Sequence, residues 1–157
     1  MIGFFPDPYP DELLYSICAR YSSRVQYPQV KSVASELFGS KCATAIIVLP
    51  CFHNHLLTVL PPGHKYTVEQ LIDNHTMLRF YSPFLTEFRV KRLMDSMSGL
   101  NDFPVYSCLS LYHGGIESPE WLRFCPKCAS EDLENVGELY WHRLHQIPGV
   151  FVCPKHQ

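Results

Sequence analysis

The sequence predicts a mainly α-helical protein that ends in a small subdomain organised by cysteine and histidine. Apolar residues recur at helical spacing in several segments before residue 100. Two short turns that carry cysteine and histidine lie near the C-terminal end. We therefore expect a helical domain over residues 1–100, a connecting segment over residues 101–118 and a subdomain over residues 119–157.

The first two helices are predicted from apolar periodicity. The apolar residues of the first helix are Leu13, Leu14, Ile17, Cys18 and Tyr21. Asp11 and Glu12 stand at its N-terminal end, where the helix dipole favours negative charge. Tyr27-Pro28 interrupts the pattern, and a second helix follows that Gly39 can end. Two helices joined by a short turn predict the kernel of a helix-turn-helix, although a simple helical hairpin is the more frequent meaning of this pattern.

Capping signals predict two more helices before residue 100. Thr67-Val68-Glu69-Gln70 fits a capping box, in which the threonine and glutamine side chains bond to the first backbone N–H groups. Ser82-Pro83 is typical of an N-cap followed by a proline in the first turn, and Gly99 can close that helix. Residues 50–65, which include Pro61-Pro62-Gly63, are predicted to be irregular.

Two four-residue knuckles predict a metal site. They are Cys125-Pro126-Lys127-Cys128 and Cys153-Pro154-Lys155-His156, and each presents two ligands from a tight turn. Cys125, Cys128, Cys153 and His156 together provide a tetrahedral Zn²⁺ shell. Because a closed shell leaves no position for water, we expect one structural Zn²⁺ ion that activates no nucleophile.

Two other interpretations of these residues remain open. A lone C-x-x-C pattern also occurs in redox dithiols, although that interpretation does not explain the second knuckle. Alternatively, His142 and His145 serve as the second ligand pair, in the order of a Cys₂His₂ finger. Their spacing is shorter than the usual one, and this choice leaves Cys153 and His156 without a role.

The rest of the subdomain predicts local structure and packing. Residues 129–136 are expected to form a short helix, and residues 150–152 a short strand that leads into the second knuckle. Tyr140, Trp141 and Phe151 supply large apolar areas. We therefore expect these aromatic side chains to pack the subdomain against the helices.

The composition favours a folded protein of a reducing compartment. Hydrophobic residues make up 46% of the chain, and the charged fraction of 18% is too low for a disordered protein. Seven cysteines are an odd number, and the chain opens without a signal-peptide pattern, which favours the cytoplasm over a secreted disulfide scaffold. No apolar run approaches the ~20 residues that cross a bilayer, so no membrane partner is expected.

Charge gives only local indications of a partner. The formal net charge of −2 provides no overall basic footprint for nucleic acid. An acidic cluster, residues 131–138, follows the first knuckle and offers a surface for a basic protein. The candidate phosphate-contacting residues are Lys31, Lys41, Arg89, Lys91, Arg92, Arg123 and Lys127.

Catalytic signatures are missing from the sequence. It contains no H-E-x-x-H, no G-x-S-x-G and no phosphate-cradling glycine-rich loop. No set of acid, base and nucleophile stands out either. We therefore predict a protein that is not an enzyme and has no small-molecule substrate.

Three segments occur in an order that is typical of one protein family. They are Phe5-Pro6-Asp7-Pro8-Tyr9-Pro10-Asp11-Glu12-Leu13-Leu14-Tyr15-Ser16, then Val68-Glu69-Gln70-Leu71-Ile72-Asp73-Asn74-His75-Thr76 with Tyr81-Ser82-Pro83-Phe84, then Arg123-Phe124-Cys125-Pro126 through Gly137-Glu138-Leu139-Tyr140-Trp141-His142-Arg143 to Cys153-Pro154-Lys155-His156. This order resembles the TniQ/TnsD family of transposon target selectors, and it is closer to the TnsD side.

The resemblance implies an N-terminal helix-turn-helix-like domain followed by a CCCH zinc finger with ligands Cys125, Cys128, Cys153 and His156. Members of this family are not enzymes. They find a target by binding duplex DNA at an attachment site or by joining a CRISPR effector complex, and they recruit the AAA+ ATPase TnsC. A bacterial, nucleoid-associated location in the cytoplasm follows from that role.

TnsD-like selectors continue beyond this zinc finger, whereas the present sequence stops at Gln157. We therefore expect either the N-terminal part of a longer protein, with a further C-terminal region, or an unusually short member of the family. We expect docking to the ATPase to depend on the further region less than DNA sequence recognition does. The alternative function is a free-standing zinc-dependent transcription regulator that reads DNA with its second helix. That helix offers only a thin set of polar side chains, namely Lys31, Ser32, Ser35 and Glu36.

Overall fold

Helices account for nearly all regular structure in the part of the chain that can be described. The computed structural model describes residues 1–27, 29–39, 49–51, 53–100 and 120–157. Its helices are α1 (Leu14–Val25), α2 (Val30–Phe38), α3 (His53–Val59), α4 (Val68–His75), α5 (Leu78–Tyr81), a 3₁₀ helix (Ser82–Phe84), α6 (Glu87–Ser98), α7 (Pro126–Val136) and a second 3₁₀ helix (Leu144–Gln146). The mainly helical class is thus confirmed. The predicted connecting segment, residues 101–118, and Lys41 lie outside the described residues.

The first two helices end where the sequence predicts. Gln26 adopts a left-handed conformation (φ 51°) after α1, and Gly39 does the same (φ 67°) after α2. The start of α1 was predicted incorrectly, because its N-cap is Leu13 and its first turn contains no acidic residue. Glu12 instead turns inward and becomes fully buried.

Three other boundary predictions have mixed outcomes. The capping box before α4 is confirmed, with the Thr67 and Gln70 side chains each bonded to the other's backbone N–H. Ser82-Pro83 opens only a 3₁₀ turn, and α6 begins after Thr86 before ending at Gly99. The prediction of irregular structure over residues 50–65 was wrong in part, since α3 forms there.

The helical core consists of two adjoining apolar clusters. The first contains Ile2, Leu14, Ile17, Tyr21, Val33, Leu37, Phe38, Leu56, Leu60 and Leu71. The second contains Leu49, Val68, Ile72, Met77, Leu78, Tyr81, Leu93 and Met97. Helix α4 contributes to both clusters, and Leu57 of α3 packs against both. Helices α3 and α4 therefore join the two halves of the core.

The C-terminal part lies against the chain segment that leads into α1. Glu12 and His142 form an antiparallel β-bridge. The Leu13 N–H donates to the Trp141 carbonyl at 2.9 Å, and the Arg143 N–H donates to the Asp11 carbonyl at 2.8 Å. The Trp141 N–H also donates to Ser16 Oγ at 3.0 Å. Backbone hydrogen bonds thus fix the C-terminal part on the N-terminal end of α1.

The predicted aromatic packing of the C-terminal part holds for one of its three residues. The Tyr140 ring lies 5.0 Å from the Tyr9 ring, whereas the half-buried Trp141 ring lies 6.3 Å from the ring of Phe124 in the same part. Phe151 was assigned wrongly, because it is 88% exposed. Residues 150–152 form no strand either, since no neighbouring strand offers them hydrogen bonds in the described part of the chain.

Candidate metal centre

The two knuckles converge on one point in the structure. Cys125 is the N-cap residue of α7, Pro126 occupies the first helical turn, and this turn brings Cys128 back beside Cys125. The second knuckle is closed by the His156 N–H, which donates to the Cys153 carbonyl at 3.3 Å. The ligand atoms of Cys125, Cys128, Cys153 and His156 all lie within 4.8 Å of one another. This group could hold a metal ion.

The distances within the group fit a tetrahedral ion. For metal–sulfur distances of about 2.3 Å and a metal–nitrogen distance of about 2.0 Å, two sulfurs lie about 3.8 Å apart and a sulfur and nitrogen about 3.5 Å apart. Cys128 Sγ and Cys153 Sγ are 3.7 Å apart. His156 Nδ1 lies 3.5, 3.3 and 3.6 Å from the sulfurs of Cys125, Cys128 and Cys153. Three thiols and one imidazole are also the donor set that Zn²⁺ takes in structural sites.

His156 is oriented by a carboxylate behind it. Its Nδ1 faces the three sulfurs, while its Nε2 lies 2.9 Å from Glu131 Oε1. Lys155 binds the other oxygen of the same carboxylate. Metal-binding histidines characteristically donate their second ring N–H to a carboxylate, which fixes the tautomer and strengthens the ligand. Glu131 was not singled out for this role by the sequence, because only the fold shows that α7 faces the second knuckle.

The thiols have unequal proton affinities. The backbone N–H of Cys128 lowers the pKa of the Cys125 thiol. Burial raises the pKa of Cys153, but the backbone N–H groups of Lys155 and His156 outweigh it, and the pKa is lowered. Burial and the two neighbouring thiols raise the pKa of Cys128 to about 12. A bound cation would therefore be needed to keep all three as thiolates at neutral pH.

The two other histidines of the C-terminal part do not belong to this group. His142 Nε2 lies 2.8 Å from Asp132 Oδ2, so its ring is held by a carboxylate. His145 Nε2 lies 3.7 Å from Cys128 Sγ, next to the group but outside it. Burial lowers the pKa of His145, and the nearby His142 lowers it further. The geometry thus favours Cys153 and His156 over the alternative pair.

A buried network of charged side chains holds the metal group against α1. The Glu12 side chain is fully buried, and both its oxygens accept hydrogen bonds from Arg20 at 3.0 Å. Arg20 also contacts Glu138, which follows α7, at 3.0 Å. Arg24 and the Tyr9 hydroxyl bind the same Glu138 oxygen at 2.8 and 2.7 Å. We call Tyr9, Glu12, Arg20, Arg24 and Glu138 the docking network.

A second polar link joins the metal group to α4. Arg143 Nε donates to Asp11 Oδ1 at 3.1 Å. Its Nη1 donates to the Asp73 and Thr76 carbonyls at 2.7 and 3.2 Å, at the C-terminal end of α4. The Leu144 N–H donates to the other Asp11 oxygen at 3.0 Å. Arg143 therefore satisfies helix-end carbonyls while it pins the second 3₁₀ helix.

The predicted phosphate contacts are distributed over several elements. Arg89, Lys91 and Arg92 lie together on α6, where the last two are exposed. Lys31 is exposed on α2, and Lys127 is exposed on α7. Phe88 of α6 is exposed as well, and the Arg92 guanidinium lies 5.6 Å from its ring centre.

Arg123 differs from the other residues of that set, because its side chain binds backbone carbonyls within the fold. Its Nη1 and Nη2 donate to the Val150 and Ile147 carbonyls at 2.6 and 2.7 Å. The guanidinium therefore supports the backbone that leads into the second knuckle, and these two bonds leave it less available to a phosphate than the sequence suggested. Sequence proximity to the first knuckle suggested a surface role, because the internal carbonyls are contributed by residues more than 20 positions later.

The acidic cluster is also largely used within the fold. Glu131 pairs with Lys155 and His156, Asp132 with His142, and Glu138 with the arginines of α1. Glu134 is exposed. The acidic cluster thus supports the C-terminal part and offers less charge to a basic partner than the sequence predicted.

Comparison with known proteins identifies the family. The TniQ family model matches residues 3–157. The chain belongs to the TniQ family. It is 30% identical over 152 residues to the transposon Tn7 transposition protein TnsD of Escherichia coli. That match covers 97% of this chain and 30% of the Escherichia coli protein, so the TniQ chain spans less than a third of that relative's length.

The family resemblance predicted from the three sequence segments is therefore confirmed. Two of those segments supply the four residues of the metal group and three residues of the docking network, namely Tyr9, Glu12 and Glu138. None of the helices in the described ranges combines the length and apolar character that a bilayer crossing requires.

Proposed function

We propose that this TniQ chain is a non-catalytic target-selection adaptor in DNA transposition. It links target DNA, or an RNA-guided CRISPR effector complex, to the AAA+ ATPase TnsC, and it acts at the bacterial nucleoid in the cytoplasm. The observation that carries the proposal is the family match over residues 3–157, which includes the metal group and the segment that docks it. Strand cleavage and transfer belong to other subunits in this scheme.

The metal group serves this function as a structural element. Cys125, Cys128, Cys153 and His156 would hold one Zn²⁺ ion in a closed shell, with no position for a reacting water. Such an ion supplies folding free energy to the segment that it ties together. The helical domain and the zinc subdomain would then act as one body, because Tyr9 and Arg20 of the docking network bind Glu138 through part-buried hydrogen bonds.

The surface that we assign to duplex DNA is centred on α6. Arg89, Lys91 and Arg92 supply a local cluster of positive charge on this helix. The other proposed phosphate contacts are Lys31 on α2, Lys127 on α7 and Lys41, which lies outside the described residues. Cations that neutralise phosphates release counterions, so binding through this surface would weaken steeply with salt. Arg123 is left out because its guanidinium is used by backbone carbonyls.

The alternative function, a transcription regulator that reads DNA with α2, is less well supported than the adaptor function. Glu36 of α2 accepts hydrogen bonds from the Tyr21 and Tyr27 hydroxyls at 2.9 and 3.2 Å. It is therefore not available to read a base edge. Lys31, Ser32 and Ser35 remain exposed on α2, which is a small set for sequence recognition.

Co-sedimentation and electron microscopy of the Zn²⁺-loaded chain with TnsC, ATP and duplex DNA test the adaptor. Co-assembly of the chain with TnsC is the expected result. A sequence-selective footprint without TnsC would favour the regulator, and failure to join TnsC would overturn the adaptor function for this chain.

The proposed DNA surface is tested by comparing DNA binding of two lysine variants. Replacement of Lys91 by Ala should weaken DNA binding and reduce the salt slope by about one unit. Lys65→Ala, which removes an exposed cation before α4, is the matched control. Equal effects of the two substitutions would remove α6 from the proposed DNA surface.

A further inference from the structure

His145 places a further imidazole ring beside the group of Cys125, Cys128, Cys153 and His156. Its Nε2 lies 3.7 Å from Cys128 Sγ, which is hydrogen-bond distance for the large sulfur atom. His145 and Cys128 are each only 7% exposed. The other ring nitrogen, Nδ1, is buried and has no hydrogen-bond partner among the described residues. The only contact that uses a ring nitrogen of His145 there is therefore the one to Cys128.

We propose that His145 is a positioning residue for the metal, whose Nε2–H donates a hydrogen bond to the Cys128 thiolate. The inference rests on the zinc site proposed above. A metal-bound thiolate can only accept a hydrogen bond, so the proton of this contact has to be on the ring. Hydrogen bonds to ionised acceptors are about twice as strong as neutral ones, and Cys128 is the most buried of the four ligands.

His145 faces one ligand and does not take the place of one. It is absent from the group whose ligand atoms lie within 4.8 Å of one another. His156 Nδ1, by contrast, lies within 3.6 Å of all three sulfurs. The tetrahedral shell is thus complete without His145, and the ring's contribution is to hold the sulfur.

The position of the His145 ring is set by its two neighbours in the second 3₁₀ helix. On one side, the Leu144 N–H donates to Asp11 Oδ2 at 3.0 Å. On the other, the Gln146 amide bonds to Arg123 in both directions, accepting from its N–H at 3.0 Å and donating to its carbonyl at 2.7 Å. The imidazole therefore faces Cys128 from a backbone that is fixed by Asp11 and by Arg123, two residues before the first knuckle.

This arrangement gives the metal centre a connection to the helical domain. Asp11 belongs to the segment that leads into α1, and it also holds Arg143. A contact from Asp11 through Leu144 and His145 to Cys128 means that docking and metal binding stabilise each other. The link would explain why the zinc subdomain and the first helix are found as a single unit.

The test compares Zn²⁺ and Co²⁺ binding by the whole chain carrying His145→Gln or His145→Phe. Glutamine keeps an N–H donor, and phenylalanine keeps the ring shape without one. His55→Gln, at an exposed position on α3, is the control. Zn²⁺ affinity is measured by competition with a chelator, and the Co²⁺ form reports thiolate-to-metal charge transfer and tetrahedral ligand-field absorption.

We expect His145→Phe to weaken Zn²⁺ affinity by about 10- to 100-fold. It should also shift the charge-transfer band to lower energy, because the sulfur lone pairs lose a hydrogen bond, while the ligand-field band keeps its tetrahedral intensity. His145→Gln should recover most of the affinity. If His145→Phe does not fold, His145→Leu replaces it in the comparison with glutamine.

Wild-type affinity and spectrum in the variants without a donor would overturn the proposal. Loss of the tetrahedral band would overturn it as well, since that result would make His145 a ligand. Absence of tetrahedral Co²⁺ binding by the unmodified chain would reject the zinc site itself, which is a separate outcome from rejection of the role of His145.

Discussion

At the residue scale, the His156 ring contacts the cysteine sulfurs with one nitrogen and a carboxylate with the other. One ring nitrogen faces three sulfurs, and the other lies 2.9 Å from Glu131. The ligand types were predictable from the sequence, because the two knuckles have a spacing that few other functions require. The carboxylate partner was not, since Glu131 lies 25 residues from His156 and meets it only through the fold.

Removal of the Glu131 charge should weaken the metal site without unfolding the helices. The change Glu131→Gln leaves an oxygen that accepts the His156 N–H, but it removes the negative charge that makes the ring a better ligand. We expect Zn²⁺ affinity to fall by about 10-fold, up to 100-fold, in a chelator competition. Lys155→Met, which removes the other partner of this carboxylate, and Glu134→Gln, on the same helix, are the controls. Equal affinities for all three variants would contradict the role of Glu131.

His75 provides a pH-dependent contribution to stability away from the metal. Its Nδ1 lies 2.7 Å from the Glu12 carbonyl, and burial, assisted by Arg143, lowers the pKa of His75. The ordinary value is about 6.5, so below that pH the unfolded chain takes up a proton that the folded chain resists. The free energy of unfolding should therefore decrease as the pH falls from about 7 toward 5.

The measurement is denaturant unfolding of the wild type and of His75→Gln across that pH range. The wild type should lose more stability than the variant as the pH falls, and the other histidines cancel in this difference. Parallel pH profiles for the two proteins would show that protonation of His75 does not differ between the folded and unfolded chain.

At the scale of elements, local signals were predicted well and non-local ones were not. The capping box of α4 and the glycine ends of α2 and α6 depend on a few adjacent residues, and the sequence contains them. The sequence analysis did not predict helix α3, because prolines flank it on both sides and no capping pattern indicates its start. The strand at residues 150–152 was wrong because a strand needs a partner, and Phe151 and Val152 instead remain exposed.

The capping box of α4 can be compared with a cap that lacks its hydrogen bond. Thr67→Ala removes the hydroxyl that accepts the Gln70 N–H at 3.2 Å, and we expect it to cost about 1 kcal/mol of unfolding free energy. Thr86 is the N-cap residue of α6, but its side chain makes no capping hydrogen bond. Thr86→Ala should therefore change stability by less than about 0.5 kcal/mol.

Urea unfolding followed by circular dichroism gives both values. Thr67→Ser retains the hydroxyl and should stay close to the wild type. If the two alanine variants cost the same, the capping hydrogen bond is not the source of the α4 effect.

At the scale of the whole molecule, charged side chains join the two ends of the chain. The sequence predicted that aromatic residues pack the C-terminal part against the helices, and Tyr140 does so. Arg20 binds both Glu12 and Glu138, and its contact with Glu138 connects residues 118 positions apart. Periodicity and spacing cannot show such pairs. Two of these residues, Glu12 and Glu138, nevertheless fall in the segments that identified the family.

The docking network predicts a large difference between two arginines on the same helix. Arg20 is 7% exposed in its side chain and faces the fully buried Glu12, whereas Arg24 is 44% exposed. Arg20→Met leaves the Glu12 charge buried without its partner, and we expect a loss of about 3–5 kcal/mol in unfolding free energy. Arg24→Met removes only an exposed contact to Glu138 and should cost about 0.2–1 kcal/mol.

The double variant Glu12→Met/Arg20→Met separates loss of a partner from loss of the pair. Two apolar side chains of similar size can replace a buried ion pair at little cost, so the double variant should be more stable than Arg20→Met alone. Urea unfolding monitored by circular dichroism measures all four proteins. If the double variant is instead less stable than Arg20→Met, the remaining partners of Glu12, Ser16 and the Tyr9 N–H, make its carboxylate favourable even without the arginine.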